Sequence, residues 1–316
     1  MTTAPASAKK GFIPVMLTPF TDTGKIDFDA LTSLTEYYLQ AGASGLFANC
    51  LSSEMFELDN EERIAIINQV VKATNGTVPV VATGTFGGPV EDQANFVKEV
   101  YDTGVQAVIA ITGLLAGNDE SNAVFNQRVE QLLQLTDNVP LGFYECPVPY
   151  KRVLSAQQLQ QFVSTGRVIY HKDTSLDIAQ IKAKIEVTQP FKSFGLYDAY
   201  MAHSVESLKA GSAGLSCIQG NYFPELIVWL CNNYNDASLV KEVDLVQQFL
   251  VDHMDVMHDV YPTSSKYYLQ MRGIHISTFM RRDVGDFNLK KKQGIDKLYQ
   301  NYERLLQQIQ INQVSI

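Results

Sequence analysis

Long apolar runs are missing from this chain, and so is any excess of positive charge. Its 316 residues carry 25 Lys and Arg against 34 Asp and Glu, for a formal charge of -9. A nucleic-acid binder generally carries a basic stripe. Here no basic run exceeds Arg281-Arg282 or Lys290-Lys291-Lys292, and each reads as a solvated helix end. No apolar stretch approaches the roughly 20 residues of a membrane span, and the opening MTTAPASAKKGF lacks the apolar segment of a secretory signal. Cysteine is sparse as well. Cys50, Cys146, Cys217 and Cys231 are widely spaced and form no CxxC pair, a pattern of reduced thiols rather than of a disulfide framework. The expectation is a soluble cytoplasmic protein that binds neither nucleic acid nor membrane.

Metal and phosphate signatures are absent too. HMDVMH (253–258) does not match HExxH and reads as an amphipathic face, and GTFGGP (84–89) lacks the lysine and spacing of a P-loop. Cys50, Cys146, Cys217 and His171 fall near strand ends, but four different strands do not bring them together in any obvious way. Packed thiols are the expected reading, with no metal and no cofactor.

What the chain does contain is alternation. Eight runs rich in Val, Ile, Phe and Leu, bounded by Gly, Pro, Asn or Asp, read as strands: FIPVML (12–17), GLFANC (45–50), VPVVATG (78–84), AVIAITG (107–113), VPLGFYE (139–145), RVIYHKD (167–173), FKSFGLY (191–197) and AGLSCIQ (213–219). Amphipathic helical patterns fill the gaps. LDNEERIAIINQVVKATNG shows a cap at Asp59, acids in its first turn, and Ile64, Ile67, Val70 and Val71 on one face. Eight β-then-α units in succession predict a closed parallel (β/α)8 barrel. The expected organisation is a flexible N-terminus over 1–10, the barrel over 11–234, and a helical region over 235–316. Three helices are expected in the last: ASLVKEVDLVQQFLVDHMDVMHDV, SKYYLQMRGIHISTFMRR and LKKKQGIDKLYQNYERLLQQIQ.

In such a barrel the active site lies at the C-terminal strand ends. Lys172 ends the sixth strand and Tyr144 the fifth. Alternation gives Lys172 the parity of Val168 and Tyr170, and Tyr144 that of Pro140, Gly142 and Cys146, so one assignment points both side chains inward. A lysine in an apolar pocket has its charged form disfavoured, and a neutral amine attacks carbonyls. A phenol beside it can relay protons. The competing reading is a lysine that snorkels to solvent from a strand end. After the second strand, CLSSEMFELDNEER supplies the Ser52 and Ser53 hydroxyls and loop amides that could cradle a carboxylate, or simply cap a helix. Asp198 and Asn221, at later strand ends, are open to substrate contact or to capping.

These motifs, in this order, resemble the dihydrodipicolinate synthase and N-acetylneuraminate lyase superfamily. GFIPVMLTPF is similar to its opening strand, GLFANCLSSEMFELDNEER to its carboxylate-binding loop, FYECP to its tyrosine motif, YHKDTS to its Schiff-base lysine, and GSAGLSCIQGNYFPEL to its eighth strand. The resemblance implies a homotetramer of TIM barrels with a C-terminal three-helix extension, and a 2-oxo acid substrate, usually pyruvate, held covalently by Lys172. It implies Tyr144 as proton relay and Ser52 at the second hydroxyl of the carboxylate loop. Ser53 falls on the following glycine, and Leu51 stands where the first hydroxyl is usual, leaving only a backbone N–H for substrate. Three departures concern one function. Leu51 replaces a relay hydroxyl, Leu115 stands where a second tyrosine is usual, and Pro149 where an arginine holds the aldehyde's carboxylate, with Lys151 and Arg152 only nearby. The expectation is therefore a metal-independent aldolase or lyase joining or cleaving a 2-oxo acid and an aldehyde-type partner, made apolar by Leu51, Leu114 and Leu115. The alternatives are 4-hydroxy-tetrahydrodipicolinate synthase activity with altered relay residues, and a non-catalytic relative that binds a 2-oxo acid.

Overall fold

The computed structural model describes residues 9–311 and 313, so the stretch 1–10 lies largely outside the described residues. Eight strands, β1 (Gly11–Phe12), β2 (Leu46–Ala48), β3 (Val80–Thr83), β4 (Ala107–Ile111), β5 (Leu141–Tyr144), β6 (Val168–Asp173), β7 (Gly195–Asp198) and β8 (Gly214–Leu215), form one parallel sheet in the order β1-β8-β7-β6-β5-β4-β3-β2. The ends of that order meet. Phe47 N donates to Pro14 O and Met16 N donates to Phe47 O, both at 3.0 Å. Closure leaves no free edge and makes the sheet a (β/α)8 barrel. Six expected runs contain a strand whole, while the first shares only Phe12 with β1 and the seventh ends one residue short of β7. The seventh starts late, because a turn closed by Phe194 N on Phe191 O takes up its first half.

Sequence signals start the helices as expected. Asp59 accepts from Glu62 N at 2.8 Å while its own N–H reaches Glu62 Oε2 at 3.3 Å, a reciprocal cap that opens the helix Asn60–Thr74. Its buried face is Arg63, Ile66, Ile67, Val70 and Thr74, with Ile64 and Val71 only flanking it. After the helix Pro224–Asn233 come Val240–Asp252, Met254–His258, Thr263–Met271 and Leu289–Ile309. The first of the three expected helices thus breaks at His253. The second ends at Met271, where Gly273 turns with φ +90, so GIHISTFMRR is not helical. This region packs on the barrel through aromatic rings: Phe223 stacks on Tyr302 at 5.0 Å and meets Phe249 at 5.4 Å.

Strand alternation divides the core. Val15, Phe47, Val81, Ile109, Tyr144 and Tyr170 fill the barrel interior, while Leu46, Val80, Val108 and Phe143 face the helices. A β-bulge breaks the alternation once: Leu141 pairs with Val168, but Gly142 pairs with Tyr170. Ile169 is passed over. Val168 therefore faces the helix layer, not the interior as strict alternation predicts, and the bulge resets the phase so that Tyr170 and Lys172 point inward.

Candidate active site

Tyr144 and Lys172 are register partners at the top of β5 and β6. Lys172 Nζ lies 4.3 Å from the Tyr144 ring centroid and 5.8 Å from that of Phe47. Lys172 is 4% exposed and Tyr144 3%, which excludes the snorkelling alternative. The expected small residue below Tyr144 is required: a Cβ on Gly142 would stand 2.6 Å from Ile109 Cδ1 and 2.8 Å from Tyr170 Cβ.

Burial pushes the Lys172 amine below its ordinary value of 10.5. The groups that oppose this shift are the thiols of Cys50, Cys146 and Cys217, which offer it far less than a carboxylate would. Burial also pushes the Tyr144 phenol well up, assisted by Cys146 and Cys50, so it stays protonated and can donate. Cys50 and Cys146 thus share the barrel interior with Tyr144, and Cys217 acts on the amine through space, where the sequence suggested no convergence. Burial raises Cys146, and raises Cys217 to about 12, so these two are thiols rather than ready metal ligands.

The opposite face of the same two strands holds a cluster that sequence reasoning missed. Glu145, His171 and Asp173 point into the helix layer with no exposure. Lys184, from the helix Ile178–Thr188, donates to Glu145 Oε1 and Asp173 Oδ2, both at 2.6 Å. His171 Nε2 lies 3.3 Å from Glu145 Oε1. These partners hold Lys184 and His171 above their ordinary values despite burial, and hold Asp173 far below its own. Ligand atoms of Glu145, His171 and Asp173 lie within 4.8 Å of one another, as a metal site requires. The place a cation would take between the two carboxylates is filled by the Lys184 ammonium. The legible signal was three polar residues of opposite parity to Tyr144 and Lys172, facing a helix with a lysine on its inner side.

The loop after β2 makes a short turn, Leu51–Ser53, ending on Glu54 in the left-handed region at φ +56. Ser53 is committed within it: its amide donates to Cys50 O at 2.9 Å and its hydroxyl to Met16 O at 2.6 Å. Ser53 therefore braces the loop rather than offering a hydroxyl to a ligand. Ser52 is buried in the same turn, which lies against the C-terminal region. Glu54 ties the turn to that region, with Lys266 Nζ 3.3 Å from Oε1 and the amides of Arg281 and Arg282 on Oε2. Leu51 and Leu114 border the barrel interior, but Leu115 is buried in the helix layer, because the short helix Thr112–Leu115 turns it away. Leu115 thus drops out of the expected apolar pocket. Asp198 accepts from Tyr200 N at 2.9 Å and lies 3.1 Å from His203, so it shapes its own turn. Arg152 is spent on Gly117 O, Glu120 O and Tyr150, and Lys151 on Thr174 O.

Known proteins share this architecture. Among solved structures, a monomeric dihydrodipicolinate synthase variant superposes with a TM-score of 0.84 at 19% identity, covering 95% of this chain and 99% of that one. YagE, a prophage protein of the dihydrodipicolinic acid synthase family from E. coli K12 solved in complex with pyruvate, gives 0.81 at 21% identity, covering 98% and 100%. The 4-hydroxy-tetrahydrodipicolinate synthase of Bacillus subtilis (strain 168) is 26% identical over 264 residues, 83% of this chain and 89% of that protein. That of Oceanobacillus iheyensis is 24% identical over 298 residues, 93% and 95%. No helix among the described residues is long and apolar enough to cross a membrane. The dihydrodipicolinate synthetase family model matches residues 8–302, and the chain belongs to that family.

Proposed function

We propose that the protein is a metal-independent, Schiff-base-forming aldolase or lyase that takes a 2-oxo acid, pyruvate in the first instance, and an aldehyde-type partner. The observation that carries this reading is the Lys172 amine, buried, lowered in pKa and seated over the Tyr144 ring. The neutral amine adds to C2 of the 2-oxo acid and water leaves, giving the imine. Loss of a C3 proton makes C2=C3 and returns the imine electron pair to nitrogen. The resulting enamine adds through C3 to the aldehyde carbon, whose oxygen takes up a proton; cleavage is the reverse. Tyr144, protonated and adjacent, carries protons in both steps. Ser52 and the Leu51 and Ser52 amides receive the carboxylate; the Ser53 and Glu54 amides are engaged within the turn, and Leu51 supplies backbone only.

The engagement of Arg152 and Lys151 in the 150–152 segment leaves no ready clamp there for a carboxylate on the second substrate. Together with Leu51 and Leu114 at the mouth, this supports an aryl or alkyl aldehyde over a carboxylated one. The proposed assembly is a homotetramer, checked by sedimentation mass. The deciding experiment is borohydride reduction in the presence of pyruvate, followed by peptide mass spectrometry. An adduct on Lys172 is expected, and its absence across several 2-oxo acids ends the reading. Turnover across a panel of aldehydes then names the partner; sugar acids cleaved far better than apolar adducts would refute the pocket chemistry.

A further inference from the structure

We infer that Glu145 is a positioning residue of the Lys172 site, acting with Thr174 to hold Tyr144 in place against the amine. This rests on the Schiff-base reading above. The pairing of β5 and β6 ends at Tyr144 and Lys172, and the rung just above that pair, Glu145 N to Lys172 O, is already long at 3.4 Å. In a parallel ladder the next rung would run from Thr174 N to Glu145 O. Thr174 N donates instead to Glu145 Oε2 at 3.2 Å, and the Thr174 hydroxyl takes the amide's place on Glu145 O. Two side chains thus stand in for the missing rung, one step above the reacting pair. The Thr174 carbonyl accepts from Lys151 Nζ at 2.7 Å, so every polar group of Thr174 is spent on Glu145 or Lys151.

The other carboxylate oxygen of Glu145 fastens the loop that leaves β5. Oε1 accepts from Leu154 N at 2.9 Å, at the far end of that loop, and from Lys184 Nζ at 2.6 Å, on the helix Ile178–Thr188. One carboxylate with no exposure therefore gathers the end of β5, the residue after β6, the return of the loop and the helix that follows β6. Its chain neighbour Tyr144 points the opposite way, into the barrel interior, with Lys172 Nζ 4.3 Å from its ring centroid. Pinning Glu145 on the helix side fixes the Tyr144 backbone on the other. Proton transfer depends steeply on such placement, and a shift of about 1 Å can cost about a hundredfold. Three donors converge on the two oxygens, which only an ionised carboxylate can serve together: a glutamine would present an N–H₂ to one of them.

The test is Glu145→Gln and Thr174→Val, singly and together, in the full-length protein. The glutamine keeps one oxygen for Leu154 and Lys184 and sets its amide nitrogen against Thr174 N, donor to donor, which opens the clasp. The valine removes the hydroxyl arm and leaves every buried charge in place. Each variant is checked for folding by circular dichroism and then read twice. Borohydride trapping of pyruvate on Lys172 reports imine formation, and deuterium exchange at pyruvate C3 in D2O, followed by NMR, reports proton transfer. The expected result is trapping slowed no more than about threefold, with exchange slowed at least about tenfold in each single variant. The double variant should be little slower than the slower single, because both changes open one clasp. Exchange within about twofold of wild type in either variant overturns the inference. Trapping and exchange lowered by the same factor marks a merely structural role and also overturns it, as do losses that multiply in the double variant. If Glu145→Gln does not fold, Thr174→Val alone decides. Absence of trapping in the wild type instead removes the Schiff-base reading on which the inference stands.

Discussion

Replacing Lys184 by Met should be among the most damaging single changes outside the barrel mouth. The ammonium makes two 2.6 Å contacts to carboxylates that have no exposure, and it is itself only 1% exposed. Met matches its length and suits a helix interior, so the perturbation is the lost charge rather than a hole. Removing one partner of a buried ion cluster costs about 3–5 kcal/mol, because the groups left behind stay desolvated. Unfolding entropy near 2.1 cal/mol/K per residue gives roughly 0.7 kcal/mol per kelvin for a chain of this size, hence a Tm lowered by about 5–8 °C. The pH dependence has a definite sign. Without Lys184 a buried carboxylate titrates above its unfolded value near 4, so the deficit is absent below that pH and grows as pH rises through the raised folded value. The gap to wild type should be widest at pH 7.5 and shrink toward pH 5. Lys182→Met is the control on the same helix: Lys182 also sits 2.6 Å from a carboxylate, that of Glu206, but both are half exposed, and such pairs add little. Thermal scans of both variants at the two pH values decide the matter. Equal losses in the two variants, or a Lys184→Met deficit that ignores pH, would refute the reasoning.

Further outcomes are expected at the site and beneath it. Tyr144→Phe should lower turnover by about 10²–10⁴-fold while Lys172→Met abolishes the borohydride adduct altogether; a surviving adduct in the latter would place the reacting amine elsewhere. The rate of adduct formation should climb with pH and level off below 10.5, since burial lowers the folded Lys172 value and the neutral amine is the reactive form; a rate still rising tenfold per pH unit at pH 10.5 contradicts this. Ser52→Ala should raise the KM for the 2-oxo acid more than it lowers imine formation at saturation, read from steady-state kinetics against trapping, and an unchanged KM would remove Ser52 from the carboxylate site. Gly142→Val should destabilise the barrel by more than about 2 kcal/mol in urea unfolding, because even one Cβ there stands within 3 Å of Ile109 and Tyr170.

The barrel was legible because its signals are local and repeated: strand composition recurs eight times, side-chain caps open helices at Asp27, Asp59, Ser121, Ser155 and Asp177, and Gly42, Gly104, Gly166 and Gly211 follow helix ends. Lys172 and Tyr144 were legible for the same reason, as residue types out of place at strand ends. What escaped depends on relations the linear pattern does not carry. The bulge at Ile169 leaves no trace in a run of apolar residues, so Val168 was assigned the wrong face. Leu115 turned outward because a four-residue helix follows β4 directly. Ser53 looked like a ligand group until the Met16 carbonyl proved to hold it. The bond from Asn221 to Tyr261 was out of reach, since nothing in a helical tail says that one of its linkers will pack against the end of the eighth strand.

The deepest consequence of the fold is the contrast between two buried lysines on either side of one strand pair. Lys172 and Lys184 are both hidden from water, yet Lys172 is driven toward the neutral amine and Lys184 toward the ammonium. Burial penalises both charges alike, so the difference lies in the company each keeps. Strand alternation sends Glu145 and Asp173 outward to Lys184, and sends only rings and thiols inward to Lys172. Had Glu145 and Asp173 shared the parity of their neighbours Tyr144 and Lys172, the same carboxylates would hold the inner amine protonated and unreactive. Parity on β5 and β6 thus sorts one set of charges into structure and leaves the other face free for nucleophilic chemistry.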